Sequence, residues 1–176
     1  MTKKNVSKNI LDNAEKLTKM HSLIQETAKN KKNDPAAWEK ACQEFHAAYD
    51  SLAFPGGLEH GMAALKKQDP ATITIAIEYL NANPYFHRSG YIQEKILRFL
   101  KQAPLTTDHI AELQDILIAQ IMSEKPSGNY QEYCRLAAKI ADENLRTKVE
   151  KIIEQSHDER VMQRARTMLD LLGKNR

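Results

Sequence analysis

Apolar residues along the chain recur at alternating intervals of three and four residues, the period of one buried face of an α-helix. In the first segment this pattern extends over Ile10, Ala14, Leu17, His21, Ile24 and Ala28. Strand-like alternation is confined to residues 72–75, and the Asp69-Pro70 pair just before them favours a helix there as well. The pattern therefore predicts an all-α fold.

Residues with defined capping chemistry mark where the helices begin and end. Asp34-Pro35 and Asp69-Pro70 each supply an N-cap acceptor followed by a proline, which lacks the N–H that would go unpaired in a first turn. The Phe-Pro-Gly-Gly segment at 54–57 ends a helix. Ser156 and Glu159 have the spacing of a capping box before the last helix. These signals predict about nine helices, at residues 10–28, 35–53, 58–66, 70–80, 89–101, 106–122, 129–140, 142–155 and 157–172.

From residue 57 onward, alternate helices start on average about 35 residues apart, a spacing within the range of helical-hairpin repeats. The last helix resembles the second helix of a HEAT repeat at Asp158, Val161, Arg164, Ala165, Met168, Leu169 and Leu172. A weaker version occurs at Asp69, Ile73, Ala76, Ile77 and Leu80. The resemblance covers about residues 57–173 and implies stacked hairpins that present a concave face to a partner.

Two arrangements are therefore open for the predicted fold: irregular stacked helical hairpins in a HEAT-like α-solenoid, or an orthogonal helical bundle. The length of 176 residues suits one domain with a sizeable core. We expect a single all-α domain over residues 1–176, with an N-terminal helical pair at 1–54 and helical-hairpin repeats at 57–173.

Composition excludes several classes of protein. With 41% hydrophobic and 28% charged residues, six Gly and six Pro, the chain is neither collagen-like nor of low complexity. No apolar stretch approaches the roughly 20 residues that span a bilayer, and Asp12, Glu15 and Lys16 occupy the place where a signal peptide is apolar. We predict a cytoplasmic protein without a membrane partner. Cys42 and Cys134 are isolated, which gives no support to a disulfide framework or a zinc site.

The net charge of +3 is unevenly distributed. Residues 1–33 contain eight lysines against three acidic residues, so the remainder of the chain is slightly acidic. A protein that binds nucleic acid by electrostatics usually has Lys and Arg gathered on one face of a strongly basic domain. Only the N-terminal segment and one later helix have that character.

The most unusual segment is 83–91, which places three aromatic residues, a histidine and an arginine around one turn. Nine of the eleven aromatic residues fall between Trp38 and Phe99. One interpretation is a recognition site, because aromatic and Arg side chains provide much contact energy with few rotatable bonds to fix. The other is that Tyr85 and Phe86 pack the loop into the core while Ser89 caps the next helix.

In that next helix, the spacing of Arg88, Tyr91, Lys95 and Arg98 places them in one cationic stripe on the face away from the core. Such a stripe either grips an acidic partner or phosphates, or is a solvated face whose long side chains cover apolar surface. We predict that partner-binding residues are Tyr85, His87, Arg88, Tyr91, Lys95 and Arg98.

The sequence contains no local signature of catalysis or metal binding. Cys42 and His46 lie one helical turn apart, but two ligands do not make a zinc site. There is no His-Glu-x-x-His, no pair of Glu-x-x-His motifs of the kind that a di-iron bundle needs, no Gly-rich phosphate loop and no Gly-x-Ser-x-Gly elbow. We therefore predict no catalytic residue, no metal ligand and no cofactor.

Three functional hypotheses follow. The first is a non-catalytic helical-repeat protein that binds a protein partner; its size and composition are similar to those of immunity proteins that neutralise bacterial toxins, which makes a toxin one expected partner. The second is a nucleic-acid-binding protein that uses the Lys-rich N-terminal helix and the stripe from Arg88 to Arg98. The third is an enzyme in which His46, or His87 with Glu59 or Glu94, forms an acid–base pair.

Overall fold

The structure is a computed structural model that describes residues 3–173. Residues 1, 2 and 174–176, which belong to the predicted domain, lie outside the described residues, as do the side chains of Lys3 and Lys4 from the basic N-terminal segment. The described part of the chain is all-α and forms nine helices, in agreement with the periodicity. They are α1 (Lys3–Lys29), α2 (Pro35–Ala53), α3 (Leu58–Lys66), α4 (Pro70–Ala82), α5 (Ser89–Leu100), α6 (Thr107–Met122), α7 (Tyr130–Ile140), α8 (Glu143–Gln155) and α9 (Glu159–Gly173).

The helix starts follow the capping chemistry of the sequence. The carboxylates of Asp34 and Asp69 accept from the backbone N–H groups of Ala37 and Thr72, and a proline opens each helix. The capping-box prediction at Ser156 is wrong. Ser156 ends α8, and Asp158 caps α9 instead, through a carboxylate that accepts from Arg160 N at 2.8 Å and Val161 N at 3.4 Å.

Contacts within the chain divide it into two compact units, one up to Ile92 and one from Gln93 onward, with α5 contributing to both. The prediction of a single domain is not decided by this division and stays a prediction. None of the described helices is long and apolar enough to cross a membrane.

In the first unit, α1 packs against α2 and α4, and α3 packs against the same two helices. Leu17, Ile73 and Ile77 are almost fully buried at the centre. Gly61 in α3 allows a close approach: a Cβ at this position would lie 2.4 Å from the buried ring of Phe54. This glycine is therefore a packing requirement of the unit.

In the second unit, α9 packs against α6, α7 and α8. The Arg164 side chain donates to the carbonyls of Ile121 and Ser123 at the end of α6, each at 2.8 Å. Tyr130 Oη donates to the Arg164 carbonyl at 2.9 Å. The hydroxyl of Tyr133 is fully buried and has no hydrogen-bond partner among the described residues. The hydroxyl of Tyr130 is therefore hydrogen-bonded, whereas that of Tyr133 has no partner among the described residues.

Candidate binding site

The loop between α4 and α5, residues 83–88, is the centre of the candidate site. It begins at Asn83, whose left-handed backbone (φ 45°) ends α4 while its N–H donates to the Tyr79 carbonyl. Asparagine tolerates this conformation better than most residues, and it is a common way to end a helix. The loop ends at Arg88, which is also left-handed, with φ 71°. The α4–α5 loop therefore begins and ends at a residue whose left-handed backbone does not continue an α-helix.

Inside the α4–α5 loop, the two adjacent aromatic residues have opposite environments. Phe86 is buried, with its ring 6.3 Å from that of Tyr49, and its N–H donates to Ser89 Oγ at 3.2 Å. Tyr85 is 88% exposed, and only its backbone is held, by the Thr18 hydroxyl at 3.2 Å from its carbonyl oxygen. The packing interpretation is therefore right for Phe86 and wrong for Tyr85. It is also wrong for Ser89, which is the first residue of α5 and bonds back to the loop.

His87 stacks on His21 of α1, with ring centroids 4.2 Å apart and planes within 6° of parallel. The buried ring of Phe45 from α2 contacts both imidazoles, at centroid distances of 5.9 Å and 6.3 Å. Burial lowers the pKa of His87, and the neighbouring His21 and Arg88 lower it further because like charges oppose its protonation. The stack ties the α4–α5 loop to α1 and concentrates basic groups there.

A surface pocket of about 480 Å³ lies between α1 and the loop. Among the described residues, its lining is Thr18, His21, Ser22, Gln25, Tyr85, Phe86, His87, Arg88, Ser89 and Gly90. None of the described residues that line this pocket carries a carboxylate, whereas the side chains of three of them carry or can acquire positive charge. The pocket is therefore suited to an anionic or hydrogen-bond-accepting group.

Arg88 is exposed and forms no ion pair with any described residue. Its left-handed backbone is unfavourable for a residue with a Cβ, by about 1–2 kcal/mol. Strained residues of this kind are concentrated at functional sites. The Arg88 side chain lies close enough to Tyr49 to act on it electrostatically, but it forms no ion pair with a described residue that would offset this cost, which makes Arg88 the best candidate for a residue retained for function.

The sequence matches no protein-family model, no curated protein and no solved structure. Function is therefore argued from the site's own geometry and chemistry, because a helical fold by itself does not specify an activity.

The remaining predicted residues lie on α5. Tyr91 is 69% exposed, and Lys95 and Arg98 are also exposed, as the stripe requires. Arg88 precedes the first helical residue, so the helical part of the stripe begins at Tyr91. Arg98 is paired with Glu94, which leaves part of this charge neutralised. The opposite face is apolar, with Ile92, Ile96 and Leu100 buried.

The described residues bring no three His, Cys, Asp or Glu side chains together as a metal site. Of the residues considered for catalysis, His46 is exposed and its ring meets the edge of Phe45, while Glu94 pairs with Arg98. His87 faces His21.

The sequence predicts Tyr85, His87 and Arg88 as candidate binding residues, but it does not indicate two features of their arrangement. His21 was recognised only as part of the apolar face of α1, because its partner is 66 positions away in the chain. The left-handed backbone of Arg88 has no sequence signal, since glycine and asparagine are the residues expected there.

Proposed function

We propose that the chain is a non-catalytic binding protein that presents the α4–α5 loop and the exposed face of α5 to a protein partner. The observation that carries this proposal is the exposure of Tyr85, at 88%, on a loop whose neighbouring Phe86 is buried. A tyrosine brings a large contact area with few rotatable bonds, and tyrosine and arginine are enriched among the residues that dominate binding energy. A loop that is anchored at the Tyr85 carbonyl and at the Phe86 N–H loses less entropy on binding.

The scaffold supports the helical-repeat part of the proposal in its last hairpin. Here α8 and α9 pack together, and Asp158 caps α9. Of the apolar positions of the HEAT-like pattern, Leu169 is half-buried and the others are buried, at Val161, Ala165, Met168 and Leu172. We propose that this pair is a HEAT-like hairpin, in which one helix of each pair faces its neighbours and the other leaves a surface free for binding.

The nucleic-acid alternative has weaker support. On α1, Lys8 pairs with Asp12 and Lys19 with Glu15, each at 2.6 Å, so these lysines are not a source of uncompensated charge. The alternative predicts binding to a mixed RNA and DNA pool that falls steeply as salt is raised from about 50 mM, because each neutralised phosphate releases a counterion. The enzymatic alternative lacks a His–carboxylate contact among the residues described above.

Site-specific photocrosslinking tests the proposal. A photoreactive phenylalanine analogue replaces Tyr85 in one sample and the 52%-exposed Met122 in a matched control. Irradiated in lysate of the native host, the Tyr85 sample is expected to give one or a few discrete protein adducts that the Met122 sample lacks. Identical adduct patterns from the two positions would contradict a binding surface at the loop.

A further inference from the structure

We propose that the pocket between α1 and the α4–α5 loop binds the phosphate group of a phosphate monoester, held by Arg88, His87 and His21. The inference concerns a small anionic ligand and does not require the protein partner proposed above. Its test uses the purified chain alone, so its failure would leave the partner-binding proposal standing.

The charge of the pocket favours an anion. The groups facing His87 are His21 from α1 and Arg88 from the loop, and α5 contributes only Ser89 and Gly90 to the lining. From α2 the ring in contact is Phe45, flanked by the titratable side chains of His46 and Tyr49. None of these groups is a carboxylate, so no internal counter-charge competes with a bound phosphate.

The imidazole and guanidinium groups that would donate to the phosphate have no competing hydrogen bond or ion pair with a described side chain. Neither imidazole of the stack makes a hydrogen bond to another described residue, and Arg88 makes no ion pair within the same part of the chain. Ser22 and Gln25, exposed on α1, add a hydroxyl and an amide to the same pocket. A guanidinium group forms paired hydrogen bonds to two phosphate oxygens, which makes arginine the preferred partner for this group.

The geometry of the histidine stack is suited to an oxyanion and not to a metal ion. Imidazole lone pairs and N–H bonds lie in the ring plane, and two nearly parallel planes 4.2 Å apart do not converge on one metal centre. Parallel N–H donors can instead each meet a different oxygen of one tetrahedral phosphate. The exposed ring of Tyr85 at the pocket wall provides an apolar surface for the organic part of an ester.

Binding is expected to depend on pH through the histidines. The pKa of His87 is lowered by burial and by the charges of His21 and Arg88. A bound dianion would oppose these effects and raise that pKa, so affinity rises as pH falls through the histidine range. Below about pH 6 the phosphate itself takes up a proton, which ends the gain. We expect phenyl phosphate to bind more tightly at pH 6.5 than at pH 8, and a rise of one unit in the pKa of His87 limits this gain to less than about tenfold.

The test is an NMR titration of the histidine ring protons with inorganic phosphate and with phenyl phosphate, at fixed ionic strength, with sodium chloride as the reference salt. Phosphate is expected to shift His21 and His87 selectively and to raise the pKa of His87. His157, exposed in the second unit, is the internal control. Equal shifts at His157 and His87 would mean a general salt effect and would overturn the proposal.

Two further comparisons test whether the ligand is a phosphate monoester and which residues bind it. Phenyl phosphate is expected to bind more tightly than inorganic phosphate, and Tyr85→Ser is expected to remove that difference; equal affinities in the wild type would overturn the monoester assignment. Arg88→Gly and His87→Asn should each weaken binding of both probes at least tenfold, whereas Arg160→Ser, at an exposed position in the second unit, should not. Unchanged affinity in both loop variants would refute the site.

Discussion

Replacing Arg88 by glycine is expected to stabilise the first unit of the protein while it removes a charge from the binding surface. The backbone of Arg88 has φ 71°, and its exposed side chain forms no ion pair with a described residue. Glycine occupies this region without steric cost. The substitution therefore removes strain without breaking an ion pair to a described residue.

Two opposing contributions determine how much Arg88→Gly changes the free energy of unfolding. A left-handed backbone costs a residue with a Cβ about 1–2 kcal/mol, and Arg88→Gly recovers this cost. Glycine loses more backbone entropy on folding, which returns about 0.5–1 kcal/mol. The net expectation is an increase in the free energy of unfolding of up to about 1.5 kcal/mol.

Urea unfolding followed by tryptophan fluorescence measures this change. The single tryptophan, Trp38, lies in α2 of the first unit, with the Lys31 ammonium 3.3 Å from the centre of its ring, so unfolding alters its surroundings. Gln68→Gly is the matched control, because Gln68 also has a left-handed backbone (φ 61°) in the same unit but lies outside the pocket.

Arg88→Gly should be more stable than the wild type and should lose binding, whereas Gln68→Gly should keep binding. If Arg88→Gly lowers the free energy of unfolding, the Arg88 side chain supports the fold. The argument that it is retained for function would then be refuted.

Two further predictions concern packing and buried hydrogen bonding. Gly61→Ala should lower the free energy of unfolding by about 1–3 kcal/mol, because the new methyl group would meet the ring of Phe54. Gly128→Ala is the control and should change the free energy of unfolding little, because the space around its Cβ is open. Urea unfolding of both variants measures the difference. Tyr133→Phe should leave stability unchanged or increase it by about 1 kcal/mol, and Tyr130→Phe should decrease it by about 1 kcal/mol, because the first removes an unpartnered buried hydroxyl and the second a hydrogen bond. Circular dichroism during urea unfolding measures the second pair, and equal effects of the two substitutions would contradict that assignment of hydrogen bonds.

The helical architecture was predictable because it depends on local signals. Asp34 and Asp69 mark helix starts through side chains that bond three residues ahead, so their effect is contained within a few residues of sequence. The same reasoning failed at Ser156, where two candidate caps stand two residues apart and Asp158 makes the bonds. Local signals thus predict the existence of an element better than its first residue.

The candidate site was only partly predictable because it depends on contacts between distant segments. The sequence singled out Tyr85 and Phe86 together, and nothing in their spacing decides which of the two faces solvent. The orientation of the two side chains is determined by tertiary contacts. Phe86 packs against Tyr49 and bonds to Ser89, and the Tyr85 carbonyl accepts a hydrogen bond from Thr18. The pairing of distant histidines arises in the same way, from the packing of α1 beside the loop.

The central claim is that the α4–α5 loop is a surface for a protein partner, and quantitative capture with matched variants tests it most directly. Immobilised wild type, Tyr85→Ser/Arg88→Gly and the control Met122→Ser/Arg160→Ser are incubated with native lysate, and bound proteins are quantified by mass spectrometry. We expect a protein that wild type and control recover equally and that the loop variant recovers at least tenfold less. Equal recovery by all three proteins would contradict it.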